Sequence, residues 1–160
     1  MGTTRRDLAE KAWGSLLRAH ANVVPVLDAE LRAQHRLPVH SYDVLLVLRR
    51  SPEGRLTMTD LSSCVMLSRS RVSRVVDEMV DAGLVVREDN PDDRRSSFVV
   101  LTPAGRSLQR AAGPTLLRLL EDRVASPFSD DELEQFAGLL ERLAAPPPGD
   151  VHSATERRRG

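Results

Sequence analysis

Apolar residues recur along most of this chain with a helical period, and form short β-branched or aromatic runs in only one place. Over residues 5–34, Leu8, Ala12, Leu16, Val23, Leu27 and Leu31 mark one face of a long helix, and Trp13, Leu17 and Val24 widen it. Pro25 interrupts the pattern and is expected to kink the helix or split it. Leu37-Pro38 ends that element, and His40 or Ser41 opens a second helix with Tyr42, Leu45, Leu46 and Leu48. Ser51-Pro52-Glu53-Gly54 reads as a turn and residues 55–58 as a short strand. Thr59 is expected to cap a short helix over residues 60–65, with Leu61 and Val65 facing the core.

The next helix has the clearest pattern. Val72, Val75, Val76, Met79 and Val80 make one buried stripe, Ser68 is placed to cap it, and Gly83 to close it. Ser70 and Arg74 point away from the stripe, with Arg71 and Ser73 flanking them. Arg69, Arg71 and Arg74 crowd the first two turns, while Asp77, Glu78 and Asp81 occupy the later ones. Both placements oppose the helix macrodipole, so helix stability alone does not account for them, and a polyanion outside the helix would.

Residues 84–86 and 98–101 read as two strands of a hairpin that pairs with the strand at 55–58. The loop between them holds Asn90-Pro91 and Asp92-Asp93 as turn formers, then Arg94, Arg95 and Ser96. One of the two arginines is expected to pair with Asp92 or Asp93 and set the loop's shape, leaving the other for DNA. A helix entering the major groove beside a basic hairpin tip reaching the minor groove is a two-site way of holding duplex DNA. The DNA-facing candidates are therefore Ser68, Arg69, Ser70, Arg71, Ser73, Arg74, Arg94, Arg95 and Ser96.

Beyond the hairpin, Thr102 and Pro103 start a helix with Leu108, Ala112, Leu116, Leu119 and Leu120 on one side, and Gly113-Pro114 suggests a bend. Ser129-Asp130-Asp131-Glu132 is a capping box that opens a last helix with Leu133, Phe136, Leu139, Leu140 and Leu143. Residues 145–160 contain Pro146-Pro147-Pro148 and Arg157-Arg158-Arg159, and read as a disordered tail. The fold class is α+β, mainly α: a winged helix-turn-helix core with N- and C-terminal dimerisation helices. Its segments are an N-terminal dimerisation helix (5–36), the DNA-binding core (37–102), C-terminal dimerisation helices (103–144) and the tail (145–160), all within one domain.

The stretch LSRSRVSRVVDEMVDAGLVVREDNPDDRRSSFVVLTPAGR resembles the winged helix-turn-helix core of the MarR family of bacterial transcription regulators. Asp93-Arg94-Arg95 matches that family's wing, and Leu101-Thr102-Pro103-Ala104-Gly105 its following helix. The resemblance covers roughly residues 8 to 143 by element order and spacing. It implies a homodimer on a palindromic operator, usually a repressor released by a small ligand. Trp13 and Asp43 are similar to residues of a subset of the family that binds urate-like anions. In that subset arginines complete the site, for which Arg74 is the candidate here. An aromatic or carboxylate anion is the effector class implied. Trp13 as a dimer-core aromatic and Asp43 as a helix-start anion is the plainer alternative.

Charge and composition change this picture little. The 23 basic and 23 acidic residues cancel, so any attraction to nucleic acid rests on local placement. The single cysteine, Cys64, excludes an intrachain disulfide framework, and with no apolar run of transmembrane length and no secretory leader the chain is expected in the cytoplasm and not at a membrane. Cys64 itself is expected to be an inert core thiol. His20, His35, His40 and His152 have no metal-ligand spacing with Cys or acidic residues. No phosphate loop, nucleophile elbow or carboxylate pair is present, so neither a cofactor, a metal nor catalysis is expected. Two rival readings remain: a winged-helix DNA binder without ligand sensing, and a winged-helix module that docks a protein. An apolar outer face on residues 68–74 would favour the protein module.

Overall fold

The computed structural model describes residues 3–93 and 95–145. Arg94 and, of the tail expected at residues 145–160, residues 146–160 lie outside the described residues. Six helices and three strands run in the order α1 (Arg5–His35), α2 (Val39–Arg50), β1 (Arg55–Thr57), α3 (Met58–Cys64), α4 (Arg69–Asp81), β2 (Val85–Asp89), β3 (Ser97–Leu101), α5 (Pro103–Leu120) and α6 (Asp130–Ala144). A 3₁₀ turn, Pro52–Gly54, precedes β1, and a π-helical turn, Glu121–Ala125, follows α5. The chain divides into two compact units, one ending at Leu120 and the other starting at Glu121.

In the first unit α2 is the central element. Val39, Tyr42, Val44, Leu45 and Leu48 are all buried. They meet Leu31 and Leu37 from the end of α1, Leu61 of α3, Val72, Val76 and Met79 of α4, and Val85 and Val99 of the sheet. The sheet is antiparallel in the order β1-β3-β2, with Leu56 opposite Val99 and Val85 opposite Leu101. Helix α1 packs on α2 and α5. In the second unit Ser129 and Glu132 form the reciprocal capping box that starts α6, and Phe128 stacks on Phe136 with ring centroids 5.3 Å apart.

Several boundaries differ from expectation. Helix α3 begins earlier than expected because Thr57, not Thr59, caps it: Thr57 Oγ1 accepts from the Asp60 amide at 3.1 Å. That also ends β1 at Thr57. Helix α2 starts at Val39 with no local side-chain cap. Its first amide instead donates to Asp28 Oδ1 of α1 at 2.9 Å, a partner eleven residues away that periodicity does not reveal. Pro25 and Pro114 lie inside α1 and α5, and each helix runs through as one element. Cys64 is exposed, not a core thiol, because α3 ends there and Val65 takes the inward position.

The join between α4 and the β2–β3 hairpin is tightly built. Gly83, at φ +70, lets the chain reverse after α4. The Gly83 and Leu84 amides bond back to Val80 and Met79 carbonyls at 2.9 Å each, a Schellman closure. The Leu84 carbonyl then accepts from the Thr102 amide at 3.2 Å and from the Thr102 hydroxyl at 2.9 Å. Thr102 Oγ1 also accepts from the Gly105 amide, which starts α5. A Cβ on Gly105 would overlap that same Leu84 carbonyl oxygen and sit 2.9 Å from Leu101 Cδ1. Gly105→Ala should therefore destabilise the fold by about 2–3 kcal/mol through overpacking. Denaturant unfolding measures it; an unchanged midpoint would mean that α5 yields without cost.

Candidate nucleic-acid interface

Burying Val72, Val75, Val76 and Met79 turns the other side of α4 to solvent. Ser68, Arg69, Ser70, Arg71 and Arg74 are exposed and Ser73 is half-buried. Among the described residues none of the three arginines has an ion-pair partner, so the guanidinium groups are available to a ligand. At the acidic end, Arg87 of β2 reaches Asp77 at 2.7 Å and offsets one of the carboxylates that oppose the dipole. Ser68 holds the N-cap position without capping: its hydroxyl faces Ser70 Oγ at 3.3 Å, leaving the first-turn amides of α4 without a side-chain acceptor.

Asn90 organises the wing loop. It is buried, its Nδ2 donates to Ser96 Oγ at 2.9 Å, and its Oδ1 accepts from the Asp92 amide at 3.0 Å. Asp93 adds a second local turn by accepting the Arg95 amide at 3.0 Å. Among the described residues amide and hydroxyl bonds shape the loop, and an ion pair of Arg94 with Asp92 or Asp93 lies outside them. Arg95 is exposed, and Ser96 is partly buried and committed to Asn90 and the Asp93 carbonyl.

Two grooves flank this surface. One, of about 520 Å³, is lined by Arg32, His40, Ser41, Ser68, Ser70, Arg71, Arg74 and Glu78 among others. The other, of about 450 Å³, is mostly apolar, with Val24, Leu27, Val65, Leu116 and Leu120 as walls and His20, His40 and Asp43 as its polar groups. Of the residues considered for an effector, Asp43 lines the apolar cavity, Arg74 lines the other groove, and Trp13 lines neither. Trp13 is 62% exposed on α1, roughly two turns before His20. Asp43 is exposed as a residue, yet desolvation around its carboxyl raises its pKa, opposed by the charge of nearby His40. Among the described residues no group of three or more His, Cys, Asp or Glu is placed to hold a metal ion.

Asp28 positions both α2 and the first groove. Desolvation would raise its pKa, but hydrogen bonds from Arg32 and the Val39 amide, with the charges of Arg32 and His40, outweigh this and hold it below the usual carboxylate value. Sequence reasoning missed Asp28, and it gave Asn90 only as a turn former and Ser41 only as a helix start. Asp28 left one signal, the four-residue spacing to Arg32.

A short helix, a turn and an arginine-bearing helix ahead of a β-hairpin wing, with β1 on the edge of its sheet, define a winged helix-turn-helix protein. Residues 37–96 match the model of the MarR family. A Thauera aromatica protein named as a regulator of the hcr operon is 30% identical over 102 residues, 64% of this chain and 60% of its own length. The chain thus spans less than two thirds of that relative. PecS of Dickeya dadantii, an HTH-type transcriptional regulator, is 26% identical over 81% of this chain and 78% of its own. The crystal structure of Sco3205, a MarR family transcriptional regulator from Streptomyces coelicolor in complex with DNA, matches with a TM-score of 0.82 at 26% identity, covering 94% of this chain and 96% of that one. Residues 37–96 thus carry the MarR family match, and over most of its length the chain is similar to a transcriptional regulator of that family.

The depressed pKa of Asp28 means that its contribution is present above the ordinary carboxylate pKa and lost as pH falls through the folded value. Asp28→Asn should cost about 0.5–1 kcal/mol at neutral pH, after solvent screening, and nothing once the carboxyl is protonated. Urea unfolding at pH 7 and in acid tests this, and an equal difference at both would refute it.

Proposed function

We propose that this chain is a cytoplasmic, non-enzymatic bacterial regulator that binds a palindromic duplex operator as a homodimer and represses until a small ligand releases it. The observation that carries the DNA reading is the outer face of α4, where Arg69, Arg71 and Arg74 stand exposed beside Ser70 on a helix whose inner face is locked in the core. Ser68, Ser70, Ser73 and Arg74 face the major groove in this reading, while one arginine of the Arg94-Arg95 pair reaches the minor groove and Ser96 holds the wing in shape. The DNA complex of the structurally similar Sco3205 supports it. A polar, cationic face also argues against the protein-docking alternative.

Dimerisation is assigned to residues 5–36 and 103–144. Leu8, Trp13 and Leu17 are exposed on α1, and Leu139 and Leu143 on α6, apolar side chains that a second copy would cover. An effector would enter the 450 Å³ cavity at Asp43. The size suits a small aromatic or carboxylate compound, and the apolar walls suit the aromatic part. It acts by favouring the arrangement that cannot bind DNA.

Fragments selected from the source genome provide the duplex for testing. Arg71→Ala/Arg74→Ala should lower specific affinity by about 1–3 kcal/mol for each arginine that reads a base edge. A folded double variant with unchanged affinity overturns this reading. Sedimentation at micromolar concentration should give a dimer, and the two recognition helices should address half-sites about 10 bp apart. A monomer bound one per site contradicts the dimer.

A further inference from the structure

The end of α2, the Pro52–Gly54 turn and the first turns of α5 gather a set of arginines apart from those of α4. Arg49 reaches across to Gln109 Oε1 of α5 at 2.6 Å, and an Arg106 guanidinium nitrogen would sit 3.0 Å from a Cβ on Gly54. Arg50 follows Arg49, Arg55 follows Gly54, and Arg110 lies one turn after Arg106. Arg49, Arg50 and Arg110 are exposed, and Arg55 and Arg106 are half-buried. Among the described ion pairs Glu53 is the only carboxylate that meets any of them, Arg55 at 2.5 Å. The excess of cations here stands out in a chain whose net charge is zero.

Beside the arginines the outer face of the sheet is apolar. Val86 lies opposite Val100, and Phe98 is two residues before Val100 on β3, so strand alternation puts all three on one face. Val86 is 42% exposed. Arg55, opposite Val100 on β1, lays its guanidinium over the Phe98 ring, 4.7 Å from the centroid. Arginines next to an aromatic ring and an aliphatic ledge have the composition of a protein-binding surface, and a phosphodiester has no use for the ledge. Position points the same way. Arg50 is about 14 Å further along α2 than Ser41, which lines the groove beside α4. Arg55 is opposite Val100, about 13 Å along the strand direction from Ser96 at the end of the wing loop. Both spans exceed the screening length of about 8 Å at physiological salt, so this surface is electrostatically separate from the α4 face and the wing loop.

We propose that this surface docks an acidic segment of another protein. Its carboxylates meet the guanidinium groups of Arg49, Arg50, Arg106 and Arg110, and an apolar side chain rests on Val86 and Phe98. Two of the arginines are held in advance, Arg49 by Gln109 and Arg55 by the Phe98 ring, which lowers the entropy lost on docking. The partner leaves the α4 face uncovered, so partner and duplex can be held together. The docking surface stands on its own residues and does not require that α4 bind DNA.

The test titrates the full chain, labelled with ¹⁵N, at physiological salt with a synthetic peptide of glutamates and two phenylalanines. The same peptide with glutamine for each glutamate is the control. The amides of Arg50, Gly54, Val86 and Arg110 should shift and saturate, at lower peptide concentration than any on α4, and the control should leave them unmoved. Arg50→Gln/Arg110→Gln removes two exposed guanidinium groups that have no partner among the described residues and keeps good helix formers. Its unfolding midpoint, sedimentation and duplex affinity should be unchanged, while peptide affinity falls about tenfold. Shifts confined to α4, a control that binds alike, or peptide affinity unchanged in the variant overturn the docking surface. Loss of duplex affinity in the variant would give the surface to flanking DNA instead, and a smaller sedimenting species would give it to a second copy; either result also overturns the proposal.

Discussion

The Leu84 peptide joins the parts of the molecule that must keep a fixed relation. Its amide closes α4, its carbonyl takes both donors of Thr102, and the start of α5 approaches so near that only a glycine fits at position 105. Helix α4 therefore ends, the hairpin begins and the long α5 starts within one hydrogen-bonded knot. Under the proposed function, with DNA held at two places at once, such stiffness helps, because groups already in position need not be ordered again on binding.

Charge is arranged against local stability and in favour of a polyanion. Arginines at the start of α4 and carboxylates at its end both oppose the macrodipole, and among the described ion pairs only Asp77 is relieved, by Arg87 of the wing. A net charge of zero hides this, since the acidic residues are spread over other surfaces, including the first turn of α6. What matters for association is the field at one face, not the sum over the chain.

The elements with strong period or strong punctuation are legible in the sequence. The stripe of α4, its glycine closure, the capping box of α6 and the Thr102-Pro103 start all stand where their side chains predict. The departures lie where a partner distant in sequence decides. Asp28 starts α2 from another helix, Thr57 takes the capping role that Thr59 could equally have filled, and the helical hydrogen bonds on either side carry α1 through Pro25. Cys64 turns outward against expectation because a seven-residue helix has too few turns for its period to fix a face. In the site, the exposed arginines are legible as an outward face, but Ser41 is not. A serine in an apolar helix start gives no sign that it will line a groove.

Under the proposed function α4 lies in the major groove with its arginines on base edges. Methylation protection of guanine N7 on a genome-selected duplex tests it most directly, because N7 lies in that groove. Two protected patches about one helical turn apart are expected, both weakened by Arg74→Ala in a folded protein. Tight binding with every guanine N7 left reactive would contradict it.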